Sequence, residues 1–258
     1  MKINRLYFSP TNSTQKVIEL ISDAWEGEVR DIDISDPHKE YAEYTFASDE
    51  LCLVGVPAFG GRVPTCALEH LAHMKASATP TVLVATFGNR AYDDTLLELK
   101  DTLSRKGFHI VAAIAAATEH SIMHQFGTGR PDAADKKELQ TWAQRIKDAL
   151  EQGTPLPEVE VGGTRPYTPY TGLPFTPRAS DSCTLCGTCA ASCPTQAIAA
   201  DHPNTTDAER CITCMRCVAL CPADARKINA MMLFAAGKKM KKACSQRKDN
   251  ELFFGEPR

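Results

Sequence analysis

The chain is defined first by what it is missing. No apolar run in its 258 residues approaches the roughly 20 that a helix needs to cross a bilayer. The first residues, MKINRLYFSPTNST, contain no charged-then-apolar leader ending in small residues. A cytoplasmic protein without a transmembrane segment is therefore expected. Neither sign of charge dominates, with 29 Lys and Arg against 32 Asp and Glu, so nothing global points to nucleic acid or a membrane surface as partner. There is no G-x-G-x-x-G turn and no P-loop lysine, which disfavours direct oxidation of a nicotinamide.

What is present is unevenly spread. Residues 1–152 carry 16 basic and 22 acidic side chains, whereas residues 225–258 carry 9 basic and 3 acidic, so an acidic front is followed by a basic tail. The length suits one domain of ordinary size plus a small module. Eleven cysteines, an odd number, are poor candidates for disulfides in a reducing compartment. Eight of them fall into two runs, CTLCGTCAASCP at 183–194 and CITCMRCVALCP at 211–222, displaced by 28 residues (211 minus 183). Paired C-x2-C motifs are common in zinc sites, but four tetrahedral ligands do not require a compact C-x2-C-x2-C-x3-C-P.

That pattern resembles the bacterial two-cluster ferredoxins, in which three close thiolates hold one cubane and the fourth reaches across to the other. The resemblance implies one [4Fe-4S] cluster on Cys183, Cys186, Cys189 and Cys221, and a second on Cys211, Cys214, Cys217 and Cys193. With few large apolar residues, such a module would draw much of its folding energy from the clusters. The segments after the two prolines, TQAIAA and ADARKI, read as its helical pieces.

In the front of the chain, apolar runs alternate with amphipathic stretches: INRLYF with TQKVIELISDAW, then EVRDIDI, LCLVGV with TCALEHLAHM, TVLVATF with DDTLLELKDTLSRKG, and HIVAAIAAA with KKELQTWAQRIKDALEQG. β-Branched runs of five or six separated by helices predict a five-stranded, doubly wound parallel α/β sheet, with ligands at the carboxyl ends of its strands. Segment 36–49 receives no element. The first strand-to-helix turn, SPTNST, places Ser9, Thr11, Asn12, Ser13 and Thr14 at a helix N-terminus, where a phosphate is favoured; a plain N-cap by Ser13 or Thr14 is the alternative. This turn resembles the phosphate loop of flavodoxins, with Asn12 where glycine is usual. Two further loops follow strands. One contains Pro57, Ala58, Phe59 and Gly60, and the other Thr86, Gly88, Asn89, Arg90 and Tyr92. Phe59 and Tyr92 offer faces for a flat ring, the glycines let backbone approach, and Arg90 can bias its charge.

The chain as a whole is similar to the flavodoxin-domain and ferredoxin-domain fusion proteins of anaerobes. The resemblance implies a flavodoxin-like FMN domain over 1–152, a Pro/Gly-rich connector over 153–180 that wraps it, a 2[4Fe-4S] ferredoxin domain over 181–224, and a basic docking tail over 225–258. It implies an electron-transfer protein that passes electrons between FMN and the clusters and serves redox partner proteins. The alternative is a flavin-dependent reductase of a small acceptor, with His120 as proton donor and Arg130 holding an anion, both just after the fifth strand. Cys244 reads as a free surface thiol, and Cys52 and Cys66 as core residues.

Overall fold

The computed structural model describes residues 1–152, 156–170 and 172–255. The front of the chain contains β1 (Lys2–Tyr7), α1 (Ser13–Ser22), β2 (Glu28–Asp33), a 3-10 turn at Tyr41–Glu43, β3 (Thr45–Phe46), β4 (Glu50–Pro57), α2 (Thr65–His73), β5 (Lys75–Ala76), β6 (Thr79–Phe87), α3 (Thr95–Ser104), β7 (Phe108–Ala117) and α4 (Ala133–Glu151). Then come β8 (Arg178–Ala179), α5 (Thr188–Ala191), α6 (Arg216–Ala219), β9 (Arg226–Lys227), α7 (Ala230–Cys244) and β10 (Glu251–Phe254).

Five strands pair in parallel in the order β2-β1-β4-β6-β7, and β10 closes the outer edge antiparallel to β7. Numbered among themselves, the five parallel strands run 2-1-3-4-5, the order of the flavodoxin-like doubly wound sheet. The apolar runs of β4 and β7 are buried on both faces, as a sheet covered on both sides demands. On the β2 edge, only Ile32 of that strand is buried. Val17, Ile18 and Ile21 of α1 join Leu139, Ala143 and Ile146 of α4 against one face, while Cys66, Ala67 and Leu71 of α2 join Leu96, Leu99 and Leu103 of α3 against the other. Each of these valines, isoleucines and leucines contributes about 1.5–3 kcal/mol by leaving water, and the alanines less. Because all five strands run the same way, their carboxyl ends and following loops gather at one end of the sheet.

The connector lies along α3. The carboxylate of Asp94 accepts from Thr164 N at 2.8 Å and Thr168 N at 2.7 Å, and Asp101 takes the Arg165 guanidinium at 2.6 Å and 2.8 Å. Beyond the cysteines, α7 turns Leu233, Ala236, Met240 and Cys244 inward onto Ile122, Met123 and Phe126. Cys244 is therefore fully buried rather than a surface thiol, because it continues that stripe at helical spacing. Cys52 and Cys66 are buried, as expected. Segment 36–49 supplies the 3-10 turn and β3, which pairs with β5. The predicted helices TQAIAA and ADARKI are instead turns and β9; the helices lie inside the cysteine runs, where Cys189 and Cys193, and Cys217 and Cys221, sit at i and i+4. Among the described residues no helix is long and apolar enough to cross a membrane.

Asp135 ties the tail to the sheet. It is 2% exposed and accepts from Arg130 at 2.6 Å and 2.9 Å, from Arg247 at 2.7 Å and from Asn250 at 3.1 Å. Burial alone would raise its carboxyl, but these donors outweigh burial and hold it below the usual carboxylate range. Asp135→Asn leaves Arg130 buried with an inadequate partner, and a loss of about 3–5 kcal/mol in chemical denaturation is expected. Hydrogen exchange should show β10 opening first; unchanged stability would mean that the pair carries no net weight.

Candidate cofactor cavity and cysteine cages

The two cysteine runs fold onto each other as near copies. α5 at 188–191 and α6 at 216–219 are 28 residues apart, and so are three pairs of left-handed residues: Leu185 and Thr213, Gly187 and Met215, Gln196 and Asp224. These positive φ values turn backbone N–H groups inward. Ala197 N donates to Cys193 Sγ at 3.2 Å, and its counterpart Ala225 N donates to Cys221 Sγ at 3.3 Å. Cys193, Cys211, Cys214 and Cys217 line one small cavity, and Cys183, Cys186, Cys189 and Cys221 line another. The fourth cysteine of each run thus sits with the first three of the other. All eight are free thiols.

The donor set and its surroundings fit an anionic iron-sulfur group. Four cysteine sulfurs around each space, with backbone N–H groups donating to sulfur, are the donor chemistry a cubane takes, whereas among the described residues no group of three or more His, Cys, Asp or Glu is arranged to hold a metal ion. Two buried guanidinium nitrogens, Arg216 Nε and Arg226 Nε, have no acceptor; Arg216 lines the first cage and Arg226 the second. Burial pushes the Cys214 thiol up strongly and Cys217 to about 11, so metal binding would release protons there. The cages differ in access, since Cys186 is exposed whereas Ile212, Thr213 and Cys214 back onto a much larger cavity.

That cavity, of about 370 Å³, lies at the carboxyl end of the sheet. Thr11, Ser13 and Thr14 line it from the turn after β1; Pro57, Ala58, Phe59 and Gly60 from the end of β4 and the turn beyond it; Thr86, Gly88 and Arg90 from β6 and its following loop; and His120 from the loop after β7. Thr14 and Thr86 hydroxyls bond each other at 2.8 Å, and the Thr11 and Ser13 hydroxyls of the same turn face each other at 3.5 Å. Gly60 has φ +61°, and a side chain there would strike the Tyr170 ring. A side chain on Gly88 would strike His120. Both glycines are therefore required by close approach.

Several expected residues lie elsewhere. Ser9 is buried and its hydroxyl accepts from Gln15 N at 2.9 Å, so it caps α1 in place of Ser13 or Thr14, while Asn12 is the left-handed N-cap residue without a side-chain cap bond. Asn89 turns away from the cavity, its amide donating to the Cys244 and Gln246 carbonyls at 2.6 Å and 3.0 Å, which anchors the tail. Tyr92 packs on Phe87 and donates to Glu251 at 2.7 Å rather than lining the cavity. Arg130 is 8% exposed and committed to Asp135, Asn89 and the Lys248 carbonyl, so it holds structure and not an anion. Arg90 lines the cavity but is paired with Asp93. The cavity's remaining wall comes in part from segments that the sequence did not assign to it: Tyr170, Pro174 and Phe175 of the connector, Ile212 to Cys214 of the second cysteine run, read only as cluster-binding, and Ala236, Lys239 and Met240 of α7. The aromatic residues within an otherwise Pro/Gly/Thr-rich connector were the available signal.

Residues 173–226 match the family model of a 4Fe-4S dicluster domain. The chain joins a flavodoxin-like sheet to a ferredoxin-type module. No curated protein matches it. Among solved structures, it is similar to a flavodoxin from the domain Archaea (TM-score 0.41, 13% identity, 58% of this chain and 99% of that one). It is also similar to the Fusobacterium nucleatum flavodoxin bound to flavin mononucleotide (0.42, 17%, 57% and 97%). A third is the rubredoxin oxygen:oxidoreductase from Desulfovibrio gigas (0.40, 17%, 58% and 36%).

His120 differs from its expected role in protonation. Burial, with lesser effects from His124 and Arg90, lowers it to about 4, and its Nδ1 accepts from Ile122 N and Met123 N at 3.2 Å and 3.3 Å. At neutral pH it is an uncharged imidazole with its proton on Nε2, a hydrogen-bond donor and a poor acid. Between pH 6.5 and 4 the unfolded chain binds this proton and the folded one does not, so stability falls as pH falls through that window. His120→Gln should abolish about 2 kcal/mol of the acid-dependent loss in denaturation at pH 7 against pH 4.5; an identical pH dependence in both proteins would contradict the neutral, buried state.

Proposed function

We propose that the chain is an electron-transfer flavo-iron-sulfur protein with FMN in the cavity, one [4Fe-4S] cluster in each cage, and electrons passing between the flavin and a redox partner protein through the clusters. The observation that carries this reading is a shared wall: Ile212, Thr213 and Cys214 line both the cavity and a cage. FMN, when bound, would supply one- and two-electron chemistry beside centres that each pass one electron.

The chain's own groups suit this division. Thr11 and Ser13 hydroxyls at the positive end of α1 offer donors for a phosphate. Phe59 and the backbone at Gly60 and Gly88 offer flat contact for a ring, and Tyr170, Pro174 and Phe175 exclude water above it. The cage with exposed Cys186 is the one within reach of an outside partner. A second reading, a reductase of a small acceptor, is favoured by the covering of the cavity by connector and α7. His120 and Lys239 line the cavity together, and Lys239 makes no ion pair among the described residues.

Protein purified without oxygen should contain about one FMN, identified after release by denaturation, and about eight iron with matching acid-labile sulfide. Iron without flavin, persisting after incubation with FMN, would overturn the flavin half. Cys214→Ser should remove about half of the iron while leaving FMN bound. For the relay, His120→Gln leaves transfer to a protein acceptor unchanged; loss of small-acceptor reduction with both cofactors retained would instead favour the reductase.

A further inference from the structure

Among the described residues, Arg226 is the largest side chain that is completely buried, at 1% exposure. From β9 its guanidinium donates to Thr206 Oγ1 at 2.8 Å, to the Thr205 carbonyl at 3.2 Å and to the Pro203 carbonyl. All three acceptors are neutral, and its Nε has none. Among the described residues it makes no ion pair. A guanidinium stays charged inside a protein, and a buried charge without a counter-ion is among the costliest arrangements a fold can carry.

The groups that line the cage with Arg226 and can carry negative charge are cysteines. Arg226 lines the cage of Cys183, Cys186, Cys189 and Cys221, and its partner Thr206 lines the cage of Cys193, Cys211, Cys214 and Cys217. The guanidinium therefore lies between the two. The internal repeat places Ile198 at the equivalent position of the other half (226 minus 28), so this cation occurs once and is not duplicated. Arg216 behaves differently: it lines one cage only, and Asp33 and Ser35 take its guanidinium at 3.4 Å and 2.8 Å.

We propose that Arg226 is the counter-ion shared by both clusters and that its charge raises the reduction potential of each. Reduction adds one electron to a cluster with no bond made or broken and no proton required. The reduced form is the more negative, so a fixed cation favours it over the oxidised form. The inference rests on the two-cluster reading.

The test compares full-length Arg226→Met, Arg226→Gln and Arg226→Lys with wild type, prepared without oxygen. Arg178→Gln serves as the control because Arg178 is exposed on the neighbouring strand β8. Iron and sulfide are counted first, and each protein is then titrated potentiometrically with the reduced clusters read by electron paramagnetic resonance. The neutral variants should be at least tenfold harder to reduce at both clusters, about 59 mV for one electron. Arg226→Lys and Arg178→Gln should stay close to wild type. Neutral variants with full iron and wild-type potentials overturn the proposal. If the neutral variants lose iron and Arg226→Lys keeps it, charge is the requirement and the proposal stands; equal loss in all three assigns Arg226 a role in shape and overturns it. A wild-type chain with iron for fewer than two clusters removes the premise, and does so at the iron count, before any potential is measured.

Discussion

The buried carboxylate of Asp135 is the tie on which the placement of the chain's last segment depends. It sits on the first turn of α4, yet its donors come from the loop after β7 and from the last residues of the chain: Arg130, Arg247 and Asn250. Asn250 also accepts from Ala117 N at 2.9 Å, which sets the register with which β10 enters the sheet. Asn89 adds a second anchor from the loop after β6. With its far end held in this way, α7 must lie across the mouth of the sheet, and the large cavity gains a wall. A desolvated, multiply hydrogen-bonded carboxylate makes such an anchor directional in a way that apolar contact cannot.

The consequence is a cavity made by segments far apart in sequence. Turns after β1, β4, β6 and β7 give the floor, as strands running in one direction require, while the connector, the second cysteine run and α7 give the cover. A flavodoxin-like sheet alone would leave this end open to solvent. Here the small module contributes to the site, and the loop carrying Cys214 belongs to both.

This division explains what could be read from the amino acids. The parallel sheet was legible because β4, β6 and β7 are near-continuous apolar runs whose burial on both faces leaves no alternation to confuse them. The cysteine runs were legible because spacing is their chemistry. The cover was not, since Tyr170, Phe175 and Lys239 reach the cavity through tertiary packing that no local periodicity encodes. Asn89, Tyr92 and Arg130 were read as cavity residues because they follow the correct strands. A strand end fixes where a loop begins and not which way each side chain turns, and the tail, with Asp135 for Arg130, offered these three side chains stronger partners than the cavity did. His120 reaches the cavity, but burial removes the protonation state that its proposed acid role needed.

The repeat within the module is unequal at one instructive place. Position 187 is glycine, left-handed and facing open space; its counterpart 28 residues on, Met215, adopts the same left-handed backbone, which a side chain disfavours. Met215 is nonetheless 7% exposed and packs with Ile122, Phe175, Ile228 and Cys244, where the module meets the remainder of the chain. A free-standing, symmetric ferredoxin would gain from glycine in both copies. Methionine in one copy trades local backbone ease for adhesion, so the two halves of the repeat are not interchangeable: the second is shaped to be attached, and the first is not.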